Sequence, residues 1–174
     1  MEFPEDNEAK DYYLTREYVR EFINRHLVYP FNVPDEKWEE KDFCLEAIGL
    51  KRHALRCVPD GFWRDPGFCL EAVKRSSEAI EWISEKVLTM EMCQIAVRQD
   101  GHALGDVPRQ LMTEELILEA VNENGIALAY VPKNFLTKRI IVTAVKKERN
   151  ALRYVPDEWR EEAKAALAEN GTPV

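Results

Sequence analysis

The chain has 174 residues, 45% of them hydrophobic, and carries 24 lysines and arginines against 32 aspartates and glutamates, a formal net charge of −8. Length and apolar content suffice for one domain with a core. No apolar run is long enough to cross a bilayer, and the opening MEFPEDNEAK lacks a basic stretch followed by an apolar one. Neither a membrane span nor a secretory signal is therefore expected, and the cytoplasm is the expected compartment.

Residues 1–12 carry Glu2, Glu5, Asp6, Glu8 and Asp11 against Lys10, which predicts a solvated acidic tail. From residue 13 the chain repeats itself. An Ala followed by a β-branched residue recurs as Ala47-Ile48, Ala72-Val73, Ala96-Val97, Ala120-Val121 and Ala144-Val145, at spacings of 25, 24, 24 and 24 residues, with Phe22-Ile23 one step earlier. A Val-Pro pair keeps step at Val33-Pro34, Val58-Pro59, Val107-Pro108, Val131-Pro132 and Val155-Pro156, with Ile83-Ser84 in the one gap. Two independent marks with one period define a repeat array, because a single supersecondary unit cannot bury its apolar face alone. The predicted fold is an all-α helical-repeat solenoid over residues 13–174. Its units are 13–38, 39–63, 64–88, 89–112, 113–136 and 137–160, followed by a closing helix over 161–171.

Each unit reads as a helix, a tight corner, a shorter helix and a Pro turn. Thr15, Thr89, Thr113 and Thr137 stand at N-cap positions, and Asp65 does so in the third unit, with Pro66 at the first helical position. Leu88, Met112 and Leu136 precede their caps, placed for hydrophobic staples with Cys93, Ile117 and Ile141. The third, fourth, seventh and eighth residues after each cap, such as Leu116, Ile117, Ala120 and Val121, form an apolar stripe. Gly101 and Gly125 are expected to end their helices in the left-handed conformation, a place held elsewhere by Arg52, Ser77 and Arg149. The second helix, about Ile126 to Tyr130, must stop before Pro132, since the residue preceding a proline leaves the helical region. Trp38, Trp63, Phe135 or Trp159 then anchors the turn. Two alanine columns, Ala47 to Ala144 and Ala54, Ala79, Ala103, Ala127 and Ala151, suggest close crossings. The first unit departs most, with Phe22 and Pro30, as a terminal unit does.

Residues that could carry chemistry are scattered. Cys44, Cys69 and Cys93 fall one per unit in a column also filled by Val19, Ile117 and Ile141, and Cys57 lies on a short helix. Stacked units stand about 8–10 Å apart, too far for Zn–S bonds of about 2.3 Å to bridge, so no metal or other cofactor is expected. His26, His53 and His102 have no mutual spacing that suggests a ligand set, and no nucleophile with a base or phosphate loop is present. Acidic residues in first turns (Glu17, Glu39, Glu91, Glu114, Glu115) and basic ones in last turns (Lys51, Lys74, Arg75, Arg98, Lys146, Lys147) complement helix dipoles. Direct nucleic-acid binding is disfavoured: the basic column Lys74, Arg98, Lys146 is interrupted at Gly49 and Asn122, and the net charge is negative.

The most variable column precedes the Val-Pro mark: Asn32, Cys57, Trp82, Asp106, Tyr130 and Tyr154, with Phe31, Arg56, Glu81, Gly105, Ala129 and Arg153 beside it. Aromatic and Arg residues at variable surface positions are the types that dominate binding hot spots. Arg56, Trp82, Tyr130, Arg153 and Tyr154 are thus candidate partner-binding residues. The competing reading is that Tyr130 and Tyr154 cover the seam between units.

The pattern AV-x-x-x-G-x-AL-x-x-VP resembles the bacterial tandem repeat known as domain of unknown function 4116. Ala96-Val97, Gly101, Ala103-Leu104 and Val107-Pro108 carry the resemblance, as do their counterparts from Ala120 to Pro132 and from Ala144 to Pro156, over most of residues 39–160. It implies a short helical repeat of bacterial or phage origin with no catalytic residues to transfer. The expected function is a non-enzymatic protein-protein interaction module. The alternative is a small acidic inhibitor occupying a nucleic-acid-binding protein, and the third is an enzyme with an unrecognised site.

Overall fold

The computed structural model describes Val33 and residues 35–168. The acidic tail, most of the first unit with Thr15, Phe22, His26, Phe31 and Asn32, and residues 169–174 lie outside the described residues. A single turn, α1 (Asp35–Trp38), leads into α2 (Lys41–Leu50), α3 (Pro66–Arg75), α4 (Met90–Gln99), α5 (Glu114–Glu123), α6 (Lys138–Lys147) and α7 (Arg160–Ala168). After each of α2 to α6 comes a six-residue 3-10 helix: Arg52–Cys57, Ser77–Trp82, Gly101–Asp106, Gly125–Tyr130 and Arg149–Tyr154. One-turn 3-10 helices at Phe62–Arg64, Arg109–Leu111, Lys133–Phe135 and Asp157–Trp159 lead on to the next unit. No strand occurs among the described residues.

The helices start where capping chemistry puts them. Thr89, Thr113 and Thr137 hydroxyls accept from the backbone N–H of Met92, Leu116 and Ile140 at 3.3, 3.2 and 3.3 Å. Asp65 Oδ1 accepts from Gly67 N–H at 2.9 Å, ahead of Pro66. Each such bond satisfies a donor with no partner inside the helix, worth about 1 kcal/mol.

The helices stop by a means different from the one predicted. Gly101 and Gly125 are not left-handed; each begins a 3-10 helix. The corner is made one residue earlier, by an extended residue: Lys51, Ser76, Asp100, Asn124 and Glu148 all have φ between −152° and −141°. Their N–H groups still donate to Ala47, Ala72, Ala96, Ala120 and Ala144 at 2.9 Å, so the last helical bond survives the break. Any residue can adopt extended backbone, which is why Arg52, Ser77 and Arg149 follow the same corner.

What the two glycines provide is close approach. A Cβ on Gly101 would lie 2.4 Å from the carbonyl oxygen of Ala120, one unit on, and a Cβ on Gly125 would lie 2.4 Å from that of Ala144. The second helix is of 3-10 type because six residues between an extended corner and a pre-proline valine leave little room for i to i+4 bonds. Val107, Val131 and Val155 are extended, as their prolines require.

Two layers result, α-helix on α-helix and 3-10 helix on 3-10 helix, each packing on its neighbour in sequence. The core lies between them. Leu116, Ile117, Ala120 and Val121 are buried, with their counterparts in the other units, and both alanine columns are buried throughout. No polar or charged residue is buried among the described residues. Charged groups instead tie units together at the surface, as in Arg98 to Glu119 (2.8 and 3.0 Å), Arg52 to Glu78 (2.7 Å) and Lys41 to Asp65. The Gln99 amide donates to the carbonyls of Val73 and Lys74 at 2.8 and 3.2 Å, closing the C-terminal end of α3. Lys41 and two backbone donors hold the Asp65 carboxyl below its ordinary range. No helix among the described residues is long and apolar enough to cross a membrane.

Candidate functional site

Each 3-10 segment turns its third residue toward the α layer and its fifth and sixth outward. In Gly101–Asp106, Gly101, Ala103 and Leu104 are buried, whereas His102, Gly105 and Asp106 are exposed. Arg56, Trp82, Tyr130, Arg153 and Tyr154 all fall on this outer face and are all exposed. The repeat lines the fifth and sixth positions up along the stack, so residues far apart in sequence share one ribbon. Cys57, at the sixth position of the Arg52–Cys57 segment, is only half-buried. Among the described residues, the large hydrophobic side chains left exposed are Trp82 (38%), Tyr130 (43%) and Tyr154 (38%), all at that sixth position.

Trp82 and Tyr130 are held in place by the preceding unit. The Trp82 ring stacks on Trp63, centroids 6.2 Å apart and planes at 26°. Trp63 is itself buried against Phe68, and its indole N–H is buried with no acceptor among the described residues. Tyr130 lies over Gly105, where an added Cβ would meet the ring at 2.9 Å. The His102 ring meets the same ring in a T-shaped contact, at 6.2 Å and 72°. Both aromatic rings therefore cover part of a seam and remain partly exposed.

His102 and its supports had escaped the sequence reading. Asp100 Oδ1 accepts from the His102 backbone N–H at 2.9 Å and lies 3.0 Å from its Nδ1. Asn124 Nδ2, from the next unit, lies 3.0 Å from the same ring nitrogen, while Asn124 Oδ1 accepts from Ile126 N–H at 2.9 Å. The available signal was an Asp or Asn immediately before glycine, the residue type that caps a helical turn through its side chain. The role of Gly105 was also missed, because it depends on a ring supplied 25 residues later.

A cleft of about 300 Å³ opens on this face, with Arg52, Glu78, Glu81, His102, Asp106 and Tyr130 among its walls. Arg52 pairs with Glu78 across two units. Partial burial raises the Asp106 carboxyl above its ordinary pKa, and the neighbouring Glu81 carboxylate adds to the effect.

Cys44, Cys69 and Cys93 are buried and do not join the ribbon. Cys44 and Cys69 donate their thiols to the carbonyls of Trp38 and Trp63 at 3.1 and 3.4 Å. Burial pushes the thiol of Cys44 up to about 12 and those of Cys69 and Cys93 to about 11, which suppresses the reactive thiolate.

The family described as Domain of unknown function (DUF4116) matches this chain twice, over residues 40–88 and 113–160. No curated protein and no solved structure gives a significant match.

Proposed function

The chain belongs to the DUF4116 family, whose description assigns no activity, and from that premise we propose a non-enzymatic protein-protein interaction module. Its partner binds along the outer face of the 3-10 layer. One observation carries this reading: the exposed large hydrophobics among the described residues, Trp82, Tyr130 and Tyr154, all stand at one position of the repeat, which Asp106 fills in the unit between Trp82 and Tyr130, with Arg56 and Arg153 in the column beside it. Apolar side chains scattered singly would need no explanation, but a row of aromatics with arginines at its ends has the composition of a hot-spot surface. We take the compartment to be the cytoplasm, a reading supported by four free cysteines.

Selection of displayed peptides on the folded protein tests the reading. Peptides enriched on the wild type should bind at least tenfold more weakly to a Trp82→Ala, Tyr130→Ala, Tyr154→Ala triple variant that keeps its helical spectrum. A triple variant that melts far lower yet binds the same peptides equally would make these rings seam covers only. The alternative, an acidic inhibitor of a nucleic-acid-binding protein, draws on the net charge of −8. It predicts binding to basic proteins that is lost as salt rises.

A further inference from the structure

The ribbon changes character along its length. At the fifth and sixth positions it runs from Arg56 through Glu81 and Asp106 to Tyr130, then to Arg153. Some carboxylates on the stack meet cations across units, as in Lys41 to Asp65, Arg52 to Glu78 and Arg98 to Glu119. Glu81 and Asp106 line the same cleft, yet neither forms an ion pair among the described residues. Arg109, which borders an adjoining cleft that Glu81 and Asp106 also line, pairs with neither. Arg52, a cation in the wall of the cleft of about 300 Å³, is already taken up by Glu78, so the two carboxylates it leaves unmatched favour a ligand that brings a cation.

We propose that this cleft takes one guanidinium group, the arginine side chain of an extended segment of the partner, which lies against Tyr130 and is shared between Glu81 and Asp106. The inference rests on the reading of the ribbon as the binding face. The wall combines three features. Tyr130, 43% exposed, brings an aromatic ring to the cleft wall, the group a cation–π contact needs. Gly105, lacking a side chain, keeps the ring low and the cleft open beside it. The two carboxylates supply acceptors for a planar fork of N–H donors. Such a fork suits arginine better than lysine, whose compact ammonium cannot stack and reach two acceptors at once. About 300 Å³ is room enough for one long side chain. No group of three or more His, Cys, Asp or Glu among the described residues is arranged to hold a metal ion.

The test uses two small probes of equal shape, N-acetyl-arginine amide and N-acetyl-citrulline amide, titrated into the isotope-labelled full chain at physiological salt. The arginine probe should shift the amides of Gly105, Asp106 and Tyr130 saturably, with at least tenfold weaker response to citrulline. A Glu81→Gln, Asp106→Asn double variant, removing two groups without ion partners, should fold as the wild type and lose that tenfold preference. Equal responses to both probes, or an undiminished preference in the double variant, would overturn the pocket. The peptide selection reads the aromatic row independently. Selected peptides that depend on Trp82, Tyr130 and Tyr154, alongside a failed arginine titration, would therefore remove the pocket and leave the ribbon standing.

Discussion

Gly105 is the position where a missing side chain does most for the exposed face. The Tyr130 ring comes within 2.9 Å of where a Cβ would stand. Gly105→Ala should push the ring off the preceding unit, and the Tyr130 ring-proton shifts should move while the melting temperature changes little. Asp106 allows a prediction with a definite sign. Partial burial and Glu81 raise its pKa, so the folded chain holds that proton more tightly than the unfolded chain does. Its charge thus opposes folding at neutral pH, and the opposition is relieved as pH falls through the raised pKa toward the unfolded value of about 3.9. Asp106→Asn should melt above the wild type at pH 7, with the gap closing as pH approaches 4. A variant that melts lower at pH 7 would show that the carboxylate has a partner in solution.

At the scale of the element, the contacts that matter are those between backbones. Ala120 is fully buried where α5 meets its neighbours, and its carbonyl oxygen faces Gly101. Ala120→Leu should overpack this crossing and cost about 1–3 kcal/mol in a chemical melt. Gly125→Ala places a methyl 2.4 Å from the Ala144 carbonyl and 2.8 Å from Glu148 Cβ, neither of which is the far end of a flexible chain. We expect a loss of similar size, about 1–3 kcal/mol. Gly61→Ala is the control, because nothing lies within 4 Å of the added atom and the backbone there is right-handed helical. That change should be neutral or stabilise by about 0.4–1 kcal/mol, through the unfolded chain alone. Equal losses at Gly61 and Gly125 would refute close approach as the reason for glycine at the corner.

Across the whole molecule, each unit depends on its neighbours in sequence, so stability is distributed as in other linear arrays. The two layers are not uniform. The α-helices pack on one another to a similar extent along the stack, whereas the 3-10 segments that begin with Gly101 and Gly125 pack far more extensively on the next segment than those that begin with Arg52 and Ser77. Side chains at the corner hold successive 3-10 helices apart; glycine lets them close. Backbone amides in Arg52–Cys57 and Ser77–Trp82 should therefore exchange with solvent faster than those in Gly101–Asp106 and Gly125–Tyr130, as hydrogen exchange would measure. The proposed guanidinium cleft lies where loose packing gives way to close packing, between Ser77–Trp82 and Gly101–Asp106.

Much of this architecture is written locally and could be read before any coordinates. The Asp65, Thr89, Thr113 and Thr137 caps, the stripe typified by Leu116 to Val121, and the pre-proline Val107, Val131 and Val155 each act through neighbours a few residues away, and each stands where its pattern put it. The outward placing of Trp82, Tyr130 and Tyr154 was legible too, since a column that changes in chemical kind cannot belong to a core that does not. Other features answered to partners about two dozen residues distant. Gly101 and Gly125 look like helix terminators in sequence, but the Ala120 and Ala144 carbonyls decide their role. His102, Gly105 and the unpaired Glu81 and Asp106 gained their settings only once successive units were stacked. Periodicity determines that such units stack; how closely two backbones approach is fixed by side-chain volume at the contact, and only the tertiary structure brings the two sides of that contact together.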